Sequence, residues 1–163
     1  MDGAQTERID LVSLDINPCK ECGECDSESA CTHVDDDMKL IYEKIREVDA
    51  IVLASPIFFM GVTAQTKAMI DRCQCFWVER FVNKKRVYEG RRRPKGLFVS
   101  TAGGQKDIAF EPAKHVVKAF FSAIDYEYAG EILLGHTDSP DVAQRKSQVL
   151  DAAKKAGRLL ARP

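Results

Sequence analysis

The sequence of 163 residues predicts one α/β domain, residues 1–163, built on a parallel sheet. Short apolar stretches alternate along the chain with segments of helical periodicity, which is the pattern of this class. The apolar stretches are nearly continuous, as is typical of strands that helices cover on both faces. With 45% apolar residues, a chain of this length can bury one core. The four predicted strands are Ile9–Leu14, Ala50–Ser55, Gly96–Thr101 and Tyr128–Leu134.

Two helices are predicted in the first half of the chain. The first follows Asp35 to Asp37, which are candidate caps and suit the positive end of a helix dipole. Thr63 can cap the second, and Lys67 and Asp71 would pair one turn apart on its outer side. The predicted inward residues of the first helix are Met38, Ile41, Ile45 and Val48, and those of the second are Met69, Cys73, Phe76 and Trp77.

Two more helices are predicted in the second half. Pro112 suits the first turn of the third helix. The fourth follows Ser139 and Pro140. The inward residues would be Val116, Val117, Phe120 and Ile124 in the third helix, and Val149, Ala152, Ala153, Ala156 and Leu160 in the fourth.

Composition and charge exclude several classes of function. The formal charge is −1, from 24 basic and 25 acidic side chains, so no overall field attracts nucleic acid or an anionic membrane. No window approaches the roughly 18 consecutive apolar residues of a membrane span, and the first ten residues have no apolar signal core. We therefore expect a cytoplasmic protein. Its six cysteines then indicate metal or redox chemistry rather than a disulfide framework.

A polar loop, residues 17–34, carries four of the cysteines between the first predicted strand and the first predicted helix. Their spacing is C-x2-C-x2-C-x5-C, and three thiolates within seven residues can bind three irons of a cubane while the fourth completes it. The spacing predicts a [4Fe–4S] cluster, with zinc or a redox disulfide as alternatives. His33 in place of one cysteine is a further alternative. The predicted ligands are Cys19, Cys22, Cys25 and Cys31.

The other two cysteines lie on the second predicted helix. Cys73 and Cys75 are two positions apart and would point in different directions, so they do not readily share one metal. Cys73 is predicted to be a core residue, and the sequence assigns no role to Cys75.

Two loops follow predicted strands at the edge where open α/β sheets bind ligands. The first combines apolar and aromatic side chains with free backbone amides, which suits an isoalloxazine ring. The glycines of the second allow the backbone to approach a ring closely. Alone, each loop is also compatible with a purely structural turn. The first loop is Ser55, Pro56, Ile57, Phe58, Phe59, Met60 and Gly61, and the second is Thr101, Ala102, Gly103 and Gly104.

Together these segments resemble the NADPH-dependent FMN reductase and iron–sulfur flavoprotein family of flavodoxin-like proteins. The resemblance rests on residues 48–56, Phe58-Phe59, Gln65, Lys67, Ile70-Asp71-Arg72, residues 101–104 and the cysteine spacing. It implies a three-layer α/β/α fold, with the four cysteines holding the cluster and the two loops contacting FMN. Phe58 stands where many relatives have tyrosine.

The chain departs from that family at its beginning. Relatives start with a strand, a phosphate-binding loop and a helix. We expect this sequence to begin after them, with Met1 to Arg8 as a helix end or linker. The absent strand is central in the order 2-1-3-4-5, so we expect a gap beside Ala50–Ser55. Three outcomes are open: a truncated sequence, closure of the first remaining strand onto the next, or a strand from another chain.

A basic stretch between Arg80 and Lys95 contains eight of the 24 basic residues. It suits a flap that attracts either the phosphates of NADPH or FMN or an acidic electron-transfer partner. A solvated connection between helix and strand is the simpler interpretation.

The resemblance implies an electron-transfer oxidoreductase with FMN and a [4Fe–4S] cluster. The donor would be NAD(P)H or a ferredoxin-like carrier, and the acceptor a quinone, an oxygen species or another protein. No side chain is predicted to act as a general acid or base. Two alternatives are a cluster- or zinc-binding remnant without flavin and a reductase that uses free FMN as substrate. By analogy we expect a homodimer or homotetramer, and no nucleic-acid or membrane partner.

Overall fold

A computed structural model describes residues 3–88, 91–103, 107–137 and 142–161. It contains a parallel sheet of three strands in the order β1-β2-β3, with Leu53 of β1 opposite Phe98 of β2. Three of the four predicted strands are thereby confirmed. The strands are β1 Ala50–Ala54, β2 Lys95–Thr101 and β3 Glu127–Leu134.

Helices connect these strands and cover both faces of the sheet, which confirms the α/β class. A turn of π-helix, Val78–Val82, follows the fourth helix, and short 3-10 turns occupy Leu11–Ser13 and Asp107–Phe110. The α-helices are α1 Cys25–Glu28, α2 Met38–Glu47, α3 Ala64–Arg72, α4 Gln74–Trp77, α5 Glu111–Ala123 and α6 Val142–Leu160.

The predicted strand Ile9–Leu14 is wrong. These residues contain the 3-10 turn, in which the Ser13 N–H donates to the Asp10 carbonyl at 2.9 Å, and Val12 is exposed. An apolar stretch becomes a strand only where a neighbour completes its hydrogen bonds. Among the described residues no strand lies beside it, so local turns satisfy the backbone instead.

The predicted inward faces of the first three helices are largely confirmed. Met38, Phe76 and Val117 are buried in one core, and Thr63 caps α3 by accepting a bond from the Thr66 N–H. Trp77 is a wrong prediction, because its side chain is 42% exposed. The helix is interrupted at Cys73 and restarts as α4, so Trp77 packs against Phe81 at the surface instead.

The prediction for the last helix is only partly right. Val149, Ala156 and Leu160 are half-buried, whereas Ala152 and Ala153 are exposed. The face that carries Leu160 borders an open space rather than a filled layer, which leaves these alanines without a packing surface. The predicted cap residues, 139–140, lie outside the described residues.

An open groove lies along one edge of β1, where the gap was expected. Its volume is about 1930 Å³, and it separates β1 from residues 3–12. Residues of α2 and α3 border it, as do Phe120 of α5 and the end of α6. We call this space the edge groove. Because residues 9–12 lie across the groove from β1, the first predicted strand does not close onto β1.

The described helices include none with the length and apolar character needed to span a membrane.

Candidate flavin and metal site

The two predicted flavin loops lie side by side at the carboxyl end of the sheet. The Ile57 N–H donates to the Thr101 carbonyl at 2.8 Å, and the Ser100 hydroxyl donates to the Ser55 carbonyl at 2.7 Å. The Ser55 hydroxyl also accepts a bond from the Thr63 N–H at 3.1 Å, which ties the first loop to the start of α3. The structure therefore brings together the beginnings of both loops.

The first loop presents its aromatic side chains to solvent. Phe58 and Gly61 exchange two backbone hydrogen bonds of 3.0 Å, closing a tight turn. Phe59 and Met60, inside the turn, have φ of 50° and 64°, conformations that bulky residues seldom adopt. The side chains of all three apolar residues of the turn are exposed, Phe59 fully. Such rings offer the flat apolar wall that an isoalloxazine requires.

The rest of the predicted flavin residues differ in accessibility. Pro56 is exposed, whereas Ile57 and Gly61 are half-buried. In the second loop Thr101 is exposed, Gly103 is half-buried, and Ala102 is buried with its N–H bonded to the Leu134 carbonyl at 2.9 Å. Residue 104 lies outside the described residues. The side chains that can touch a ring thus come mainly from the first loop.

All six cysteines lie within the described residues and are free thiols. Of the four predicted ligands, Cys19 and Cys22 are exposed and Cys25 and Cys31 are half-buried. Gly23, with φ of 75°, lets the loop turn between them. The Glu21 N–H donates to the Cys19 sulfur at 3.4 Å.

These cysteines lie close enough to influence one another electrostatically. Burial and, secondarily, the nearby Asp26 carboxylate raise the pKa of Cys25, and Cys31 and Cys19 contribute in the same direction. Four unpaired thiols in one loop are the donor set of a cubane cluster, and an iron charge would reverse this effect by favouring thiolates. The residues present therefore fit the predicted group.

A buried ion pair joins Arg72 of α3 to Asp36, just after the cysteine loop. The Arg72 and Asp36 side chains are 3% and 2% exposed, and Nη1 of Arg72 lies 2.7 Å from Oδ2 of Asp36. The same carboxylate accepts bonds from the N–H groups of Asn17 and Met38, both at 3.1 Å, so Asp36 satisfies the first N–H of α2 from the position before the N-cap, Asp37. Burial opposes both charges, yet hydrogen bonding to Arg72 lowers the pKa of Asp36, and bonds to Asp36 and Cys31 raise that of Arg72.

Sequence reasoning treated Asp36 only as a cap and Arg72 only as part of a family motif. A signal was present, because Arg72 lies three residues after Met69 and four before Phe76, on the face predicted to be buried. A charge at such a position requires a buried partner.

The remaining two cysteines lie beneath the loop. Cys73 is buried, as predicted, and its burial raises its pKa well above the ordinary value. Burial and the nearby Cys31 raise the pKa of Cys75 to about 11. Cys75 thus lies beside a predicted ligand while remaining a protonated, buried thiol at neutral pH.

A second set of possible metal ligands overlaps the first. One ligand atom from each of Cys22, Glu24 and His33 lies within 4.8 Å of the others. A sulfur, a carboxylate and an imidazole are a donor set that zinc accepts. The zinc alternative for this loop therefore has a geometric basis.

The described part of the basic stretch binds mainly the protein itself. Arg91 donates to the carbonyls of Arg46 and Glu47 at the end of α2, at 2.7 and 3.2 Å. Arg93 donates to the carbonyls of Asp125 and Tyr126 after α5, both at 3.0 Å. The bonds from Arg91 satisfy carbonyls at the C-terminal end of α2, and those from Arg93 satisfy carbonyls in the turn between α5 and β3. These two arginines therefore have a structural role that neither earlier interpretation included.

Comparison with known proteins places these features in a family. Residues 1–126 match the family of NADPH-dependent FMN reductases. An iron–sulfur flavoprotein of Methanosarcina thermophila is 36% identical over 85 residues, 52% of this chain and 44% of that protein. An iron–sulfur flavoprotein of Methanocaldococcus jannaschii is 42% identical over 71 residues, 44% of this chain and 36% of its own length. The matches thus span less than half of each relative.

Solved structures agree on the fold. A flavone reductase superposes with a TM-score of 0.63 at 17% identity, covering 94% of this chain and 50% of its own. The Trp repressor binding protein of Bacillus subtilis superposes with a TM-score of 0.56 at 24% identity, covering 79% and 73%. With a parallel sheet flanked by helices, the chain has the α/β fold of flavodoxin-like proteins. It belongs to the NADPH-dependent FMN reductase family of oxidoreductases and, within it, is similar to the iron–sulfur flavoproteins.

Proposed function

We propose that this chain is an electron-transfer flavoprotein that holds a [4Fe–4S] cluster through Cys19, Cys22, Cys25 and Cys31 and FMN at the two strand-end loops. The observation that carries the proposal is the set of four free thiols in a single anchored loop. The match of residues 1–126 to the FMN reductase family and the similarity to iron–sulfur flavoproteins support it. Six free thiols also suit the reducing cytoplasm, where we place the protein.

FMN supplies exchange of two electrons or one, and a cluster supplies single-electron relay. The chain's residues bind and orient these groups. Phe58, Phe59 and Met60 would cover one face of the ring and exclude water from it. The bonds that fix Ser55 and Ile57 to β2 would hold that wall in place. We propose NAD(P)H or a ferredoxin-like carrier as donor and a quinone, an oxygen species or a protein as acceptor, in a homo-oligomer.

The first experiment tests the cluster ligands. Protein purified without oxygen is analysed for iron, sulfide and visible absorption, and Cys22→Ala is compared with Cys73→Ala. We expect Cys22→Ala to lose the cluster while keeping a helical circular dichroism spectrum, because Cys22 lies in an exposed loop. The control, which removes a buried thiol outside the loop, should keep its iron. Full iron retention in Cys22→Ala would refute the ligand assignment.

The second experiment tests the flavin wall. We expect Phe59→Ser to weaken FMN binding about 10-fold, since an aromatic pair contributes about 0.5–1.5 kcal/mol beyond its buried area. FMN fluorescence quenching measures the affinity. Leu150→Ser, which removes another exposed apolar side chain, from α6, should leave the affinity unchanged. Equal FMN affinities in the wild type, Phe59→Ser and Leu150→Ser would show that Phe59 does not contact the flavin.

A zinc-binding remnant without flavin is the alternative that a specific observation favours. The Cys22, Glu24 and His33 group offers zinc three ligands, and the edge groove marks an incomplete sheet. Stoichiometric zinc, no acid-labile sulfide and no saturable FMN binding would establish it. A reductase that uses free FMN would instead show NADPH oxidation that depends on added FMN.

A further inference from the structure

Arg72 joins the two ends of the cysteine loop. Its Nη1 donates to the Asn17 carbonyl at 2.9 Å, and its Nη2 donates to the His33 carbonyl. Asn17 lies two residues before the first predicted ligand, and His33 lies two residues after the last. One guanidinium therefore binds the backbone on both sides of the segment that contains all four ligands. The planar guanidinium, which donates to both carbonyls, fixes the two ends of the loop relative to each other.

The same guanidinium lies near the last ligand. The His33 carbonyl, which accepts a bond from Nη2 of Arg72, also accepts one from the Cys31 thiol at 3.8 Å. After Asp36, Cys31 contributes to the raised pKa of Arg72. The Nε of Arg72 is buried and has no hydrogen-bond partner among the described residues. Tyr42 donates its hydroxyl proton to the Arg72 carbonyl at 2.8 Å. A buried positive charge, paired with the Asp36 carboxylate, thus shares its His33 acceptor with one predicted ligand, Cys31.

We propose that Arg72 is a positioning residue for the cluster: its fork sets the spacing of the ligands, and its charge favours the more reduced state. This inference rests on the proposed function. A reduced cluster with thiolate ligands carries one more negative charge than the oxidised one, so a nearby buried cation stabilises it and raises the reduction potential. A purely structural arginine would affect stability and cluster retention but not that potential.

Two substitutions separate the fork from the charge. Arg72→Lys keeps the charge and loses the planar fork, whereas Arg72→Gln loses the charge and keeps an amide donor. Arg46 provides the control: its Nη2 lies 2.7 Å from Oε2 of Glu79, a residue outside the cysteine loop. The variants are Arg72→Lys, Arg72→Gln and Arg46→Gln, each reconstituted with iron and sulfide without oxygen.

Three measurements are made on each reconstituted protein: iron and sulfide per chain, the rate of iron release to a chelator, and the potential from a redox titration followed by electron paramagnetic resonance. Both Arg72 variants should release iron about 10- to 100-fold faster, the usual effect of losing a residue that orients metal ligands. Only Arg72→Gln should lower the potential, with Arg72→Lys close to wild type. Arg46→Gln should match wild type throughout.

The outcomes distinguish this inference from the proposed function. A wild-type chain that takes up no iron and sulfide overturns the cluster itself, and the role of Arg72 with it. An iron-loaded wild type with unchanged release and potential in both Arg72 variants overturns only the inference. If circular dichroism shows that Arg72→Gln does not fold, the rate of iron release from Arg72→Lys still tests the role of the planar guanidinium. An Arg72→Lys potential that falls as far as that of a folded Arg72→Gln overturns the role of the charge.

Discussion

The two edges of β1 differ in how fully neighbouring groups cover them. One edge pairs with β2, and the edge groove lies along the other. Away from the groove, Phe98 and Phe121 are inaccessible to solvent and the Arg72–Asp36 pair is buried. Along the groove, Val52 at the centre of β1 is 54% exposed, and the Glu7–Lys44 pair lies at the surface. The core is therefore complete on one side of β1 and unfilled on the other. Both candidate site loops are attached to the complete side, by bonds to β2 and to Arg72.

The two ion pairs should show the largest difference. Asp36→Asn removes the charge opposite a buried guanidinium, which typically costs about 3–5 kcal/mol in the free energy of unfolding. Glu7→Gln removes the carboxylate of a solvent-exposed pair at the groove and should change little. Urea unfolding measures both. Similar costs for the two substitutions would show that the groove side is as tightly packed as the other.

The Asp36 carboxylate also makes the complete side sensitive to acid. Burial raises the pKa of Asp36, but the hydrogen bonds from Arg72, Asn17 and Met38 and the Arg72 charge together outweigh burial and lower this pKa below its ordinary value of 3.8. The unfolded chain therefore takes up this proton at a higher pH than the folded chain does, so the contribution to stability is present above pH 3.8 and is lost as the pH falls through the lowered pKa. Asp36→Asn should lack this loss. An acid transition with the same pH dependence in both proteins would assign it to other carboxylates.

A glycine on the complete side should tolerate no side chain. A Cβ at Gly96 would lie 2.4 Å from Cδ1 and Cε1 of Phe121, whose side chain has no free space. Gly96→Ala should therefore cost about 1–3 kcal/mol through overpacking. Phe121→Leu in the same chain should relieve part of that cost, giving a double-mutant cycle that is less than additive. Additive costs would mean that the backbone moves rather than the ring.

The same division explains what the sequence could predict of the fold. Periodicity located β1, β2, β3 and the inward faces of α2, α3 and α5 because complementary layers exist to bury them. It failed for Ile9–Leu14, where the edge groove lies beside residues 9–12 in place of a neighbouring strand. It also failed for Ala152 and Ala153, which are exposed on α6, and for Trp77, where the helix is interrupted at Cys73. A pattern records a residue's preference for burial, and only tertiary structure decides whether burial is available.

For the candidate site, the sequence predicted which side chains would be metal ligands. It did not predict the contacts that hold those side chains in place. Cysteine spacing is local, so the thiols of residues 17–34 were predicted together, although their assignment as cluster ligands remains a prediction. Arg72 meets Asn17 across 55 residues of chain, and no spacing rule connects two such positions. Arg91 and Arg93 likewise bind carbonyls that are distant in sequence.

Amide exchange should distinguish the two edges of β1 directly. The Ser55 N–H donates to Val99 at 3.1 Å, and the Lys95 N–H donates to the Asp49 carbonyl at 3.1 Å. In a parallel pair the residues that face one neighbour alternate, so Val52 and Ala54 direct their amides to the groove. We expect the Val52 amide to exchange on the order of 100-fold faster than that of Ser55, measured by nuclear magnetic resonance. Equal protection would show that another strand covers this edge.

The smallest predicted effect has the opposite sign and comes from a glycine at the groove. Gly157 lies inside α6, and a Cβ there would meet nothing within 4 Å. Gly157→Ala should therefore stabilise the protein by about 0.5–1 kcal/mol, because alanine loses less conformational freedom on forming a helix. The midpoint of thermal unfolding measures this effect. Comparing Gly157→Ala with Gly96→Ala then compares a glycine at the edge groove with one in the filled core. If Gly157→Ala destabilised the protein as Gly96→Ala does, something must pack against α6 in solution, and the groove would be filled.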